Sequence, residues 1–116
     1  MNNYKSKHTL EERKIESQRI RSKYPNRIPI IVTKGETCTL NDIDKNKYLV
    51  PIDITLGQFI FIIRKKIELN QNEGLYLFIN NNVLGSVSSL MIDIYKNHKD
   101  EDGFLYITYQ NENTFG

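Results

Sequence analysis

Few residues of this 116-residue chain belong to types that do covalent chemistry, and their spacing speaks against most of it. Cys38 is the single cysteine, so no intrachain disulfide can form, which suits a reducing compartment. A cysteine nucleophile needs a base within hydrogen-bond reach. Neither His8 nor His98 is near Cys38 in sequence, and Cys38 sits in the polar stretch Glu36–Thr39, so it reads as structural. One cysteine and two distant histidines give no zinc-ligand spacing. Gly35, Gly57, Gly74, Gly85, Gly103 and Gly116 are isolated from one another, so no phosphate-cradling loop is encoded. No G-x-S-x-G elbow occurs. The consecutive acids Asp100-Glu101-Asp102 read as a solvated loop rather than a metal site. The expectation is a protein that is not an enzyme and holds no cofactor or metal.

Length and composition point to one domain with a modest core. Apolar residues make up 39% of the chain. The longest apolar run, Phe59–Ile63, falls far short of the ~20 residues that span a bilayer. The polar opening Met1–Lys7 lacks a signal-peptide pattern, so a cytoplasmic location is expected. Charge is unevenly spread. Residues 1–35 hold nine Lys/Arg against three acids, and the rest hold seven against eleven. This favours an acidic partner for the first third. The region has no interleaved aromatics on which bases would stack, so nucleic acid is not expected.

The elements follow from local signals. Thr9 with Glu12 forms a capping box for a helix running to Tyr24, with a thin stripe of Leu10, Ile15 and Ile20. Pro25 ends it. Arg27–Thr33 reads as a strand, Gly35–Asp44 as a loop and Tyr48–Val50 as a strand closed by Pro51, a proline that marks either the strand's end or an edge position. Thr55 with Gln58 caps the clearest helix, with Leu56, Phe59, Ile60, Ile63 and Ile67 at helical spacing and Phe61 and Ile62 widening its apolar surface. Leu75–Ile79 is a strand, Asn80-Asn81-Asn82 a turn. Ser88 or Ser89 is expected to cap a short helix through Asn97 with Leu90, Met91, Ile94 and Tyr95 inward. Phe104–Tyr109 is a central strand, apolar on both faces, and Gln110–Gly116 a polar tail. Two strands, a crossing helix and two more strands match a ubiquitin-like β-grasp. The expected fold is therefore α+β, a single domain over 1–116, with an N-terminal helical extension (1–26), a β-grasp core (27–109) and a tail (110–116).

Three stretches are more specific. They are Arg21-Ser-Lys-Tyr-Pro-Asn-Arg-Ile-Pro-Ile-Ile-Val32; Asp44-Lys-Asn-Lys-Tyr-Leu-Val-Pro51 with Leu56-Gly-Gln-Phe59 and Ile63-Arg-Lys-Lys66; and Asp102-Gly-Phe-Leu-Tyr-Ile107 ending in Thr114-Phe-Gly116. In this order they closely resemble the autophagy ubiquitin-like modifiers, the GABARAP-like proteins, over roughly residues 10–116. The resemblance implies that Gly116 is activated by an E1-like enzyme, passed to an E2-like enzyme as a thioester, and joined to the amine of phosphatidylethanolamine. It implies a cytoplasmic form, monomeric when soluble, and a lipidated form on autophagosomal or other organelle membranes. Most members carry residues after this glycine that a protease removes; a chain ending at Gly116 is either made ready or trimmed.

The resemblance also implies docking of aromatic-x-x-aliphatic receptor peptides, as an added strand along Lys47–Val50. The aromatic pocket would use Glu16, Ile20, Pro29, Ile31, Lys47, Leu49 and Phe104. The aliphatic pocket would use Tyr48, Val50, Pro51, Ile54, Phe59 and Ile62. Arg27, Lys45, Lys47 and Lys66 would meet acids flanking the peptide motif. At Lys66 the family more often has arginine, and Gly85–Ser89 replaces a proline-rich segment. Two other readings compete: an unconjugated β-grasp interaction module, and a basic membrane- or cytoskeleton-binding adaptor acting through residues 1–35.

Overall fold

A computed structural model describes residues 3–112. The order is α1 (Asn3–Lys7), α2 (Leu10–Lys23), β1 (Arg27–Lys34), β2 (Lys47–Pro51), α3 (Leu56–Lys66), β3 (Tyr76–Ile79), β4 (Asn82–Val83), α4 (Met91–His98) and β5 (Leu105–Gln110). The strands form one sheet in the order β2-β1-β5-β3-β4. β1 and β5 run parallel at its centre and the other pairings are antiparallel. With α3 crossing between the two strand pairs, this is the β-grasp arrangement expected from element order.

The sheet is covered on both faces. On one side Ile28, Ile30 and Val32 of β1, Tyr48 and Val50 of β2, and Leu105, Ile107 and Tyr109 of β5 pack on Leu56, Phe59 and Ile63 of α3 and on Met91, Ile94 and Tyr95 of α4. On the other, Ile31 and Phe104 meet Ile20 of α2 and Tyr4 of α1, with Leu49 and Tyr106 against them. A strand buried on both faces has no side to spare for polar residues. That is why Ile28–Val32 shows no alternation.

Both predicted capping boxes form. The Thr9 hydroxyl accepts from the Glu12 N–H while the Glu12 carboxylate accepts from the Thr9 N–H, and Thr55 and Gln58 do the same for α3. Other expectations are corrected. α2 does not use Ile15, which is 60% exposed. It buries Arg13, Ser17 and Ile20, a stripe at helical spacing that is mostly polar. α4 is not capped by a serine, and its N-cap Leu90 points outward. Its start is set by backbone instead: the Met91 N–H donates to the Ile54 carbonyl and the Leu56 N–H to the Ser89 carbonyl, each at 2.8 Å. α1 and β4 went unforeseen. Asn80 and Asn81 have φ of 50° and 67° and form a two-residue hairpin loop, leaving Asn82 paired with Ile79. Two successive positive φ values give such a loop the twist of its strands. Gln110, expected in the tail, is the last residue of β5 and is buried.

Asp102 is the largest correction. It is 1% exposed rather than solvated. One carboxylate oxygen accepts from Arg13 Nε at 2.8 Å and from the Tyr106 hydroxyl, and the other accepts from the Phe104 N–H at 2.8 Å. Arg13 also donates to the carbonyls of His8 and Lys5, so this group ties α1 and α2 to β5. Gly103, at φ 91°, lies so close to the Ser17 side chain that a Cβ would collide with it.

Candidate functional site

β2 is an edge strand, paired only with β1. Which of its backbone groups are free follows from its neighbours. The Asn46 carbonyl accepts from the Val32 N–H, and the Ile52 N–H donates to the Asn26 carbonyl. Alternation along an antiparallel strand then turns the backbone groups of Lys47 and Leu49 to the open edge. The Leu49 carbonyl is met there by Arg27, whose Nη1 donates to it at 3.2 Å. Arg27, expected to contact an acidic flank, thus lies on the edge itself.

Side chains of β2 alternate across the sheet. Lys47 and Leu49 are half-buried on the α2 side, and Pro51 falls on the same side by alternation. Here Ile20, Ile31 and Phe104 gather with Leu49 against them. Pro29 is buried on β1 opposite Leu49. The lip is charged: Glu16 accepts from Lys47 Nζ at 3.0 Å and from Arg19 through two contacts of 2.9 and 3.0 Å. The floor is closed by a residue the sequence reading missed. Tyr4 of α1 stacks edge-on against Phe104 at 5.1 Å, and Lys47 Nζ lies 5.4 Å from its ring centre. The one signal for Tyr4 was an aromatic in an otherwise polar segment.

Hydrogen bonds from Arg19, and then Lys47, hold the Glu16 carboxyl at about 2, against the opposing effect of burial. The folded value lies below the unfolded one, so this stabilisation is full above about pH 5 and lost as pH falls through about 2. Glu16→Gln is therefore expected to flatten the loss of thermal stability between those pH values. At neutral pH it should cost about 1 kcal/mol, since solvent screens a partly exposed lattice. Thermal melts of both proteins from pH 2 to 7 check this.

On the other face Tyr48 and Val50 join the main core with Phe59, and Ile54 packs against it. Tyr48 and Phe59 meet edge to face at 6.4 Å. Ile62 is half-buried on α3, while Lys45 and Lys66 are exposed. Lys45 Nζ stands 5.7 Å from the Tyr48 ring centre. Tyr48 is 6% exposed and its hydroxyl has no partner among the described residues. Phe59, Ile31 and Phe104 are fully buried, so they form floors rather than walls.

Gly116 lies outside the described residues. Among the described residues no cluster of three or more His, Cys, Asp or Glu side chains gathers as a metal site requires, and no helix is long and apolar enough to cross a membrane. Much of the basic excess of residues 1–35 is consumed within the fold. Lys5, Arg13, Arg19 and Lys34 form ion pairs, and Arg21 and Arg27 donate to backbone carbonyls.

Known proteins place this chain. Residues 12–116 match the family described as autophagy protein Atg8, ubiquitin-like. The chain is 48% identical over 116 residues to autophagy-related protein 8d of Arabidopsis thaliana, covering 100% of this chain and 96% of that protein. It is 52% identical over 113 residues to autophagy-related protein 8B of Oryza sativa subsp. indica, covering 97% and 94%. The crystal structure of Trypanosoma brucei ATG8 superposes with a TM-score of 0.89 at 42% identity, covering 97% of each chain. A family match over nearly the whole length, carried by a β-grasp sheet with two added helices, means that this chain belongs to the Atg8 family of ubiquitin-like autophagy proteins.

Proposed function

We propose that this ubiquitin-like modifier is coupled through Gly116 to the amine of phosphatidylethanolamine, and that it takes up aromatic-x-x-aliphatic receptor peptides along the open edge of β2. The observation that carries the docking reading is the split of the β2 side chains across the sheet, although Pro51, expected in the aliphatic group, falls on the α2 side by alternation. Lys47 and Leu49 face the α2 cluster, and Tyr48 and Val50 face the main core. In an extended peptide, residues three apart point to opposite faces. A strand added beside β2 therefore directs its aromatic to one group and its aliphatic to the other, while pairing with the free groups of Lys47 and Leu49. Lys45 and Lys66 are exposed for acidic flanks, and Arg27 must release the Leu49 carbonyl to admit the strand.

Family membership supports the conjugation half. An E1-like and an E2-like enzyme carry Gly116 as a thioester. The headgroup amine attacks the thioester carbonyl, an amide forms and the carrier thiol leaves. Two acyl chains then anchor a chain whose described helices cannot span a bilayer. The modifier exchanges between the cytoplasm and autophagosomal membrane. The internal use of its basic residues speaks against the reading as a basic adaptor.

Titration of a fluorescent aromatic-x-x-aliphatic peptide tests docking. Leu49→Ala and Lys47→Asp are each expected to weaken binding about tenfold, as central contacts do. Unchanged affinity in both variants would remove β2 as the docking edge.

A further inference from the structure

The loop after β1 reaches across to hold the end of β5. Asn111 Nδ2 donates to Thr39 Oγ1 at 3.0 Å, and the Thr39 N–H donates back to Asn111 Oδ1 at 3.4 Å. One residue earlier, the buried Gln110 side chain lies over Gly35, so closely that a methyl group on Gly35 would run into its amide. Backbone continues the contact: the Gly35 N–H donates to the Tyr109 carbonyl at 2.9 Å. The Tyr109 hydroxyl donates to the Asn41 carbonyl at 2.7 Å. On the other flank, the Asn111 carbonyl stands 3.4 Å from where a Cβ on Gly74 would be. The Thr39–Asn111 pair is exposed on the Thr39 side and adds little to a core. What it does is hold the chain one residue short of where the described residues end.

We infer that Thr39 and Asn111, together with the seating of Gln110 on Gly35, are positioning residues for conjugation: they clamp the root of the segment that carries Gly116. This rests on the reading of Gly116 as the acyl donor. Glu112–Gly116 spans from the clamp to the glycine, a reach of at most ~18 Å. A fixed root confines the Gly116 carboxylate to a small volume once the body of the protein is held by its enzyme. The effective concentration at the reacting thiol rises accordingly. Without the clamp the root retreats into β5, the tether lengthens and that concentration falls.

The test is charging of the full chain by purified E1-like and E2-like enzymes of this family with ATP, read as kcat/KM for thioester formation. Thr39→Val and Asn111→Ala are each expected to lower it about threefold to tenfold. The double variant should be no slower than Asn111→Ala alone, because Thr39→Val removes only the hydroxyl half of a pair that Asn111→Ala removes whole. Gly35→Ala should slow charging by displacing Gln110, and Gly35→Ala with Gln110→Ala should recover part of it. Melting temperature and peptide affinity at β2 should hardly move. The clamp is overturned by wild-type rates, by additive losses in the double variant, or by losses that track melting temperature. Gly116→Ala in the same assay separates the two ideas. If it charges like wild type, the need for a glycine as acyl donor at this position is wrong. If it is inert while the Thr39 and Asn111 variants charge normally, only the clamp fails.

Discussion

Gly116→Ala is expected to abolish the membrane-bound form of the protein in cells, seen as loss of the faster-migrating lipidated band and of the membrane fraction. The cause is local. In the proposed transfer the Gly116 carbonyl must enter an enzyme cleft, and a side chain at this position places a Cβ where backbone alone is proposed to fit. A misplacement of about 1 Å at a reacting centre is enough to cost on the order of 100-fold in rate. Folding and peptide docking should be untouched, because β2, its two residue groups and Tyr4 lie within residues 4–104. Persistence of the lipidated band in the alanine variant would overturn the need for glycine at this position, and persistence after deletion of Gly116 would mean that another group is the acyl donor.

The second large effect is on stability. Asp102→Ala leaves three donors without their acceptor: Arg13 Nε, the Tyr106 hydroxyl and the Phe104 N–H. The Arg13 side chain is only 11% exposed, so its charge is stranded away from water. Breaking a buried pair by removing one partner costs about 3–5 kcal/mol. A domain of this size has about 5–15 kcal/mol in all. The melting temperature should fall by on the order of 10–25 °C. Arg13→Ala with Asp102→Ala should lose less than the two singles together, since no charge is then buried alone. Urea unfolding of the four proteins measures both quantities. A loss under about 1 kcal/mol for Asp102→Ala would show that water solvates Arg13 in the native state. The same variant should loosen α1, because Arg13 also holds the carbonyls of Lys5 and His8.

The features legible in the sequence were those coded by neighbours. Thr9 and Glu12, or Thr55 and Gln58, satisfy one another across three residues, so their spacing is their geometry. The apolar run Ile28–Val32 announced a strand covered on both sides. Pro51 marked either an end or an edge, and the sheet order settles on an edge strand with its outer backbone open. Hydrophobic periodicity failed on α2 for a specific reason. The helix docks through Arg13 and Ser17, and a polar residue becomes a core residue only when its partner, here Asp102, is delivered from 89 positions away. Read locally, Asp102 was one of three acids in a loop. Nothing in Asp100-Glu101-Asp102 says which of them turns inward.

Gly116 and the β2 edge entered as residue types in an order, and the sequence by itself determined that much: a β-grasp chain of this family, its helix caps, its edge strand and the glycine proposed as its working end. Only the tertiary structure decided how those parts are held. It set Tyr4 against Phe104 and sent Lys47 and Leu49 to one face of the sheet and Tyr48 and Val50 to the other. It also tied Asn111 to Thr39. The reason is physical. Caps, turns and periodic faces depend on residues within a few positions of each other, whereas a buried ion pair or a side chain seated on a glycine depends on distant segments meeting. Their pairing energy exists only after the sheet has brought them together.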